Sequence, residues 1–228
     1  MTKKINSDTK KVVGIAVFAA LAYVVALICN IIPPVAGFLS LDVKDAVIAM
    51  AAFVFGPISA VVISFIAALV EFITITFSTT GWYGFVMNFA SSATFSLTAS
   101  LIYRSKKTLN FAIIGFFSAV ALTTGIMLLL NIFVTPLYLV QFRGMPPAVA
   151  DSTVIELLAK VLLPFNFAKS LLNSAVAMLL YKPITEALRR ARLIEGGKKI
   201  VFNRNSVIIL ITGGVALVLS LVILLIIW

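Results

Sequence analysis

Five long stretches of the sequence carry no charged residue, and this feature restricts the possible folds more than any other. A membrane-spanning helix needs about 20 consecutive, mainly apolar residues. The charge-free stretches are Val12–Leu41, Ala46–Val70, Phe72–Tyr103, Thr108–Phe142 and Asn205–Trp228. A further apolar stretch, Val161–Tyr181, is interrupted only by Lys169. Because backbone groups inside a bilayer must be hydrogen-bonded within the protein, the sequence predicts an all-α integral membrane protein.

The composition excludes several classes of function. Charged residues make up only 11% of the chain, whereas soluble domains carry about 25%. The chain has no histidine and one cysteine, so a histidine–cysteine metal site, a disulfide and histidine-based catalysis all lack the residues they need. Lys169 beside Ser170 suggests a Ser-Lys dyad, but adjacent helical residues point about 100° apart. We therefore predict no enzyme activity, no metal site and no cofactor.

The net charge of +10 reflects membrane topology, because the basic residues lie at the ends of the apolar runs. We predict contacts with membrane lipids and none with nucleic acid. The run Val12–Ile32 follows four lysines but exceeds the roughly 7–15 apolar residues of a signal peptide, so we expect it to remain as the first membrane helix.

Basic residues also indicate how the stretch Ala46–Val70 is divided. If two helices meet at Gly56-Pro57, most of the 18 basic residues fall on one side of the membrane, which the positive-inside rule makes cytoplasmic. A single helix would distribute them over both sides. The prediction is therefore two helices and a cytoplasmic amino terminus in the cell membrane, with Lys44, Arg143 and Lys160 on the opposite side.

The predicted second helix, Val43–Phe55, is too short to cross a bilayer. It extends only about 20 Å, against a hydrocarbon core of about 30 Å. The preceding stretch Pro33–Leu41 should then dip into the membrane, where irregular backbone is tolerated only beside a cavity or within protein. We predict that it forms a wall or lid of a site open to the exterior. Asp42 is predicted as the helix N-cap, and Asp45 as a first-turn acid favoured by the helix dipole.

Several strongly polar residues lie within the later spans. Glu71 lies near the outer end of the third span, and the pattern leaves open whether it is an interfacial carboxylate or a functional one. Asn131 must be satisfied by some partner, and the fifth span is expected to bend at Pro136 and lead into a loop over Arg143–Thr153. The predicted spans are Pro57–Thr76, Phe85–Tyr103, a helix within Thr108–Phe142, and Ile155–Tyr181 with a break or kink at Pro164.

Lys169 is the residue whose presence most needs an explanation. On a helix, Asn166, Lys169 and Asn173 share one face. An ionisable side chain at membrane depth costs at least about 2.5 kcal/mol unless it faces a cavity, a partner or a ligand. Two simpler readings remain open, namely that Lys169 extends to an interface or that it pairs with Glu156 or Asp151.

Five short motifs occur along the chain, and the last two are the most specific. They are Phe38-Leu39-Ser40-Leu41-Asp42-Val43-Lys44-Asp45, Phe55-Gly56-Pro57, Gly84-Phe85-Val86-Met87-Asn88-Phe89, Leu130-Asn131-Ile132-Phe133-Val134-Thr135-Pro136-Leu137-Tyr138 and Pro164-Phe165-Asn166-Phe167-Ala168-Lys169. In order and spacing they resemble the riboflavin-specific substrate-binding (S) component of energy-coupling factor (ECF) transporters. The resemblance covers about residues 10–190.

The resemblance implies a six-helix transmembrane bundle with a short second helix, within residues 1–190, that captures riboflavin from outside. Its implied partners are a transmembrane coupling protein and two ATP-binding subunits. A basic cytoplasmic linker, 191–206, and a seventh membrane helix, 207–228, are extra to this unit. The alternative is an S component for another vitamin or a flavin precursor, such as thiamin.

The resemblance also implies which residues bind the ligand and which contact the coupling protein. The implied ligand contacts are Asn131, Asn166 and Lys169, with Asn88 and the backbone around Leu41 and Gly84 as further contributors. Riboflavin would be the transported ligand and not a cofactor. Small residues of the first helix would meet the coupling protein, and Ala16 and Ala20 have the spacing that allows close helix approach. Ala22 and Ala26 have the same spacing, so this assignment stays open.

Overall fold

The chain folds into α-helices that pack side by side. The structure, a computed structural model, describes residues 7–190 and 204–227. In these ranges there are eight α-helices and two single π-helical turns, one after α3 and one before α7. The helices are α1 Ser7–Cys29, α2 Lys44–Phe55, α3 Pro57–Glu71, α4 Gly81–Lys106, α5 Leu109–Arg143, α6 Pro147–Leu157, α7 Leu163–Arg190 and α8 Arg204–Ile227. The π-helical turns are Phe72–Thr76 and Leu158–Leu162.

Five segments are long and apolar enough to cross a membrane, which confirms the prediction of an all-α membrane protein. Four of them follow the predicted runs in the first part of the chain, and the fifth lies near the carboxyl end. They are Asp8–Cys29, Pro57–Thr76, Gly81–Lys106, Leu109–Arg143 and Val207–Ile227.

Helix α2 is short and surrounded by protein. Its 12 residues extend about 18 Å, and every residue from Lys44 to Ala52 is buried. The predicted division from α3 is present, because Gly56 ends α2 with a φ of +98° and Pro57 begins α3 at its first turn. A positive φ is readily available only to glycine, and proline at a helix start loses no hydrogen bond. The break therefore follows directly from the Gly-Pro pair.

The loop between α1 and α2 folds into a tight reverse turn. Val35 and Leu39 exchange backbone hydrogen bonds of 3.0 Å in each direction. Gly37 at the tip has a φ of +78°, and its carbonyl accepts a 2.8 Å hydrogen bond from Nη2 of Arg143. The ring of Phe38 lies 5.9 Å from that of Tyr138 on α5. The loop is therefore fastened to α5 over the interior of the bundle.

One prediction for the region after Pro136 needs correction, and the predicted bend at this proline stays a prediction. Helix α5 continues through Pro136 as far as Arg143, where Gly144 ends it with a φ of +67°. The predicted loop Arg143–Thr153 is wrong, because α6 begins at Pro147, whose preset φ suits the first turn of a helix. The predicted irregularity near Pro164 takes the form of the π-helical turn that ends just before α7.

The last described helix packs along α7. Gly213 allows α8 to approach closely, since a Cβ there would lie 3.3 Å from Cγ of Leu179. Ala216 belongs to the same core cluster as Met178, and Leu224 to the same cluster as Leu172. The predicted basic linker 191–206 falls largely on residues 191–203, and these, like Trp228, lie outside the described residues.

Candidate functional site

One cavity lies between α4, α5, α7 and the loop before α2. Its volume is about 710 Å³, including the space at its mouth. Its walls are mainly apolar and aromatic, with a few amide, hydroxyl and ammonium groups among them. The lining residues are Phe38, Leu39, Ser40, Thr76, Thr80, Tyr83, Gly84, Met87, Asn88, Ser91, Met127, Asn131, Val134, Thr135, Tyr138, Phe165, Asn166 and Lys169. Such a lining is typical of a site for a small organic molecule.

Five of the six predicted ligand contacts line this cavity, although they come from three different helices. They are Gly84, Asn88, Asn131, Asn166 and Lys169. Leu41 is the exception, because it lines a smaller adjoining pocket of about 300 Å³. The predicted wall or lid is present, since Phe38, Leu39 and Ser40 of the loop border the cavity. What these side chains contact in a complex stays a prediction.

Lys169 lies inside the protein at the edge of the cavity. Only 8% of this residue is exposed. Its Nζ donates to Oδ2 of Asp42 at 2.7 Å and to the Ser40 carbonyl at 3.1 Å. Neither simpler reading of this lysine is correct. It does not reach an interface, and Glu156 instead pairs with Lys160 at 3.0 Å on the exposed surface. The buried ammonium group needs a buried carboxylate, which Asp42 supplies.

A second buried ion pair adjoins the first. Lys44, the first residue of α2, is only 1% exposed, and its Nζ lies 2.7 Å from both carboxylate oxygens of Glu71. It is also 3.9 Å from Oδ2 of Asp42. Asn88 donates from Nδ2 to Oε2 of Glu71 at 3.2 Å. The prediction that Lys44 lies in the second helix is confirmed, but its ion pair was not foreseen, because a hydrophobicity pattern does not show a counter-ion that lies 27 residues away.

The predicted capping role of Asp42 also needs correction. The N-cap residue of α2 is Val43, whose own side chain makes no capping hydrogen bond. Asp42 Oδ1 accepts a 3.3 Å hydrogen bond from the Lys44 amide, but its other oxygen is taken by Lys169. Asp45 does lie in the first turn, where it accepts a hydrogen bond from the Ser92 hydroxyl of α4. Both carboxylates thus serve contacts between helices.

Asn173 has a role that sequence reasoning did not identify. Its Oδ1 accepts from the Ala46 amide at 2.9 Å, and its Nδ2 donates to the Asp42 carbonyl at 2.9 Å. One side chain of α7 therefore satisfies an open amide of the first turn of α2 and fixes the chain that leads into it. The only signal in the sequence was an amide on the same helical face as Lys169.

Two of the asparagines that line the cavity, Asn131 and Asn166, use part of their hydrogen-bonding capacity within their own helices. Asn131 donates to the Met127 carbonyl at 2.7 Å and accepts from Thr135 at 2.8 Å. Asn166 donates to the Leu162 carbonyl at 2.7 Å. Each carboxamide retains a second N–H, and Asn166 also retains its oxygen within the part of the chain that the structure describes. These groups are available to a molecule in the cavity.

Gly84 packs closely against the residue before α4. A Cβ at this position would lie too close to Oγ1 of Thr80, so a side chain here would require the Thr80 hydroxyl to move. Aromatic walls are formed by Tyr83, Tyr138 and Phe165. The sequence left open whether Tyr83 is a membrane-interface anchor or a platform for a flat ring, and Tyr138 and Phe165 were not singled out for such a role, since aromatic residues are frequent throughout the chain.

At the far end of the bundle, α2, α4, α5 and α7 pack aromatic rings against one another, and we call this region the aromatic end. The Phe53 ring lies 4.1 Å from Tyr103, 5.3 Å from Phe116 and 6.5 Å from Tyr181. The hydroxyl groups of Tyr103 and Tyr181 are 3.1 Å apart. Next to these rings is a cleft of about 610 Å³ that is lined in part by three basic residues, Lys11, Arg104 and Lys107.

Helix α1 presents two different faces. Ala22 and Ala26 are buried within the bundle, whereas Ala16 and Ala20 are exposed. Of the two alanine pairs with the same spacing, only Ala16 and Ala20 are thus accessible to another protein. Among residues 7–190 and 204–227, no group of three or more acidic, histidine or cysteine side chains is placed to hold a metal ion.

Comparison with known proteins gives consistent results. A family model described as "ECF transporter, substrate-specific component" matches residues 10–181. The chain is 31% identical to the riboflavin transporter RibU of Staphylococcus aureus, over 82% of this chain and 97% of that protein. It is 25% identical to the riboflavin transporter FmnP of Bacillus subtilis, over 81% of this chain and 98% of that protein.

A solved structure is similar over nearly its whole length. It was reported as the structure and mechanism of the S component of a bacterial ECF transporter. The TM-score is 0.63 at 29% sequence identity, and the match covers 80% of this chain and 99% of the other. The likeness therefore extends to the arrangement of the helices.

Proposed function

Because the chain belongs to the family of substrate-specific components of ECF transporters, we propose that it binds riboflavin and serves an ATP-driven uptake transporter. Two of its relatives, from Staphylococcus aureus and Bacillus subtilis, are named riboflavin transporters. The function requires capture of the vitamin and no chemical step. Riboflavin is then the transported ligand, and neither a cofactor nor a metal takes part.

The observation that carries this proposal is the chemistry of the cavity. Riboflavin has a flat, largely apolar ring system, an edge of carbonyl and imide groups, and a polyhydroxyl tail. The cavity offers aromatic and apolar walls with a small number of amide groups and one ammonium group. Because Asp42 already pairs with Lys169, this ammonium can donate to a neutral ligand without requiring a negative charge from it.

We assign the ligand contacts to side chains that line the cavity. Asn131, Asn166 and Lys169 are the principal polar contacts, and Asn88 and the backbone at Gly84 contribute further ones. Leu41 lines only the adjoining small pocket, so its contact with the ligand has less support than the others.

The proposed architecture is a six-helix membrane domain in residues 1–190 with the short second helix α2, followed by a linker and an extra seventh membrane helix over 207–228. The amino terminus is cytoplasmic. Support comes from the cleft at the aromatic end, where Lys11, Arg104 and Lys107 lie together. Basic residues favour the cytoplasmic side, and this orientation opens the cavity to the outside. The cell membrane is therefore the proposed location.

We expect direct titration to test the ligand. Purified protein in detergent should quench the fluorescence of riboflavin in a saturable manner at one molecule per chain, and thiamin should not compete. Protein that gains no flavin, or that binds thiamin instead, would contradict the assignment.

The proposed partners are a transmembrane coupling protein and two ATP-binding subunits. The exposed alanines Ala16 and Ala20 allow another helix to approach α1 closely. Ala16→Trp should leave riboflavin binding intact and abolish riboflavin uptake by cells. The matched control is Leu129→Trp, which places the same ring on an exposed position of α5 and should preserve uptake. Equal uptake by both variants would remove α1 as the docking surface.

A further inference from the structure

Glu71 is the buried charged residue that the proposed function leaves unexplained. It ends α3, is only 5% exposed and lies outside the set of residues that line the large cavity. It borders the small pocket beside that cavity, together with Asn88. A carboxylate is costly to bury, so its retention at this place calls for a specific contact.

The contacts of Glu71 lead directly to the cavity. Both of its oxygens accept from Nζ of Lys44 at 2.7 Å. Oε2 also accepts from Nδ2 of Asn88 at 3.2 Å, and Asn88 is a lining residue of the cavity. Glu71 therefore contacts the wall of the cavity directly through the side chain of Asn88.

An ionised carboxylate accepts hydrogen bonds and cannot donate them, so a neighbouring carboxamide must turn its NH₂ group towards it. The oxygen of Asn88 then lies on the other side of the carboxamide. Among residues 7–190 and 204–227 no donor reaches this oxygen. We propose that Glu71 is a positioning residue that orients the Asn88 carboxamide so that its oxygen accepts a hydrogen bond from the ligand.

Lys44 keeps Glu71 in this position. The nearest other carboxylate to Lys44 is Asp42 at 3.9 Å, and Asp42 is itself held by Lys169 at 2.7 Å. Charges of alternating sign thus follow one another from Lys169 through Asp42 and Lys44 to Glu71. The two ends of this series, Lys169 and the Asn88 bonded to Glu71, both face the cavity. One end donates and the other accepts, which matches a ligand that carries both kinds of group.

The inference rests on the proposed function, since riboflavin supplies the imide N–H and hydroxyl groups that such an acceptor requires. Glu71→Gln is the informative change. A glutamine amide can donate to the Asn88 oxygen as well as accept from its NH₂ group, so the carboxamide loses its fixed orientation.

A double-mutant cycle with Asn88→Ala tests the inference by riboflavin titration of the full chain. Glu71→Gln should raise the riboflavin Kd about tenfold in the otherwise unchanged protein and less than about twofold in the Asn88→Ala background. Asn88→Ala alone should also raise the Kd about tenfold. A merely structural role of Glu71 would weaken binding by the same factor in both backgrounds. Equal factors, or an Asn88→Ala variant that binds like the unchanged protein, would overturn the inference.

The control is Glu156→Gln, because Glu156 also pairs with a lysine but is exposed, with 70% of its side chain accessible. This variant should bind riboflavin with an unchanged Kd. If Glu71→Gln does not give monodisperse protein, Glu71→Asp takes its place in the cycle, since it retains the charge for Lys44 but shortens the reach to Asn88. Unchanged protein that fails to bind riboflavin contradicts the proposed function itself, whereas binding with additive effects contradicts only the role of Glu71.

Discussion

The two ends of the same four helices, α2, α4, α5 and α7, satisfy their buried polar groups in different ways. At the cavity end, Lys169 pairs with Asp42 and Lys44 pairs with Glu71, and the asparagines retain hydrogen-bonding capacity. At the aromatic end, Phe53 stacks on Tyr103 and two hydroxyl groups bond to each other. The first end holds groups that can still bind a ligand, and the second end fills its interior with rings.

This difference shows how one bundle can surround a cavity with polar groups at one end and pack rings against one another at the other. Ring stacking needs no partner outside the protein. Buried charges need partners, and a network of ion pairs can satisfy them while single N–H groups and carbonyl oxygens still face a cavity. Changes at the cavity end should therefore alter ligand binding, whereas changes at the aromatic end should alter stability alone.

The largest effect is expected when one partner of a buried ion pair is removed. Lys44→Met leaves the Glu71 carboxylate without its lysine in a buried site, so it should lower the free energy of unfolding by about 3–5 kcal/mol. The matched change Lys160→Met removes an exposed pair and should cost about 0–1 kcal/mol. Unfolding of both variants in detergent, followed by circular dichroism, provides the comparison. Equal losses would mean that burial does not increase the contribution of the Lys44–Glu71 pair to stability.

A smaller effect, on the ligand rather than the fold, is expected at the cavity wall. Lys169→Met removes a charged donor from the cavity, which should weaken riboflavin binding by about 1.5–3 kcal/mol, or roughly one to two powers of ten in Kd. Fluorescence titration measures this change. An unchanged Kd would show that Lys169 does not contact the ligand and that its role is limited to its contacts with Asp42 and Ser40.

The smallest effect is expected at the aromatic end. Tyr103→Phe removes the hydrogen bond to Tyr181 but retains the stacked ring, so it should lower the free energy of unfolding by about 0.5–1.5 kcal/mol. Its riboflavin Kd should remain within about twofold of the unchanged protein. A loss of affinity as large as that of Lys169→Met would show that the two ends are coupled, and the distinction between them would then fail.

Local sequence patterns were sufficient for most helix boundaries. The predicted short helix Val43–Phe55 corresponds to Lys44–Phe55, and the division at Gly56-Pro57 is present because both residues restrict the backbone at that point. Helix α6 was missed because its 11 residues are neither long nor apolar enough to stand out from a loop. Proline at its first turn was the one local signal, and it is equally compatible with a turn.

The ion pairs of the charged residues could not be predicted from the sequence. From their neighbours, Asp42 was interpreted as a helix N-cap, Asp45 as a first-turn acid, and Lys44 only as a residue of the second helix. The structure instead joins Asp42 to Lys169, 127 positions later, and Lys44 to Glu71, 27 positions later. A charge next to a helix start has a sufficient local explanation, so the sequence contains no indication that a distant partner exists.

The sequence by itself determined that the chain has helices apolar enough for a membrane protein, that these helices end near particular glycines and prolines, and that a lysine and several amides interrupt the apolar stretches. These properties depend on hydrophobicity and backbone restriction, which act over a few neighbouring residues. Only the tertiary structure decided which charge meets which, that Leu41 lies beside the cavity rather than in its wall, and that Glu71 contacts Asn88. Such pairings depend on the distances between side chains of different helices, and these distances exist only once the helices have packed.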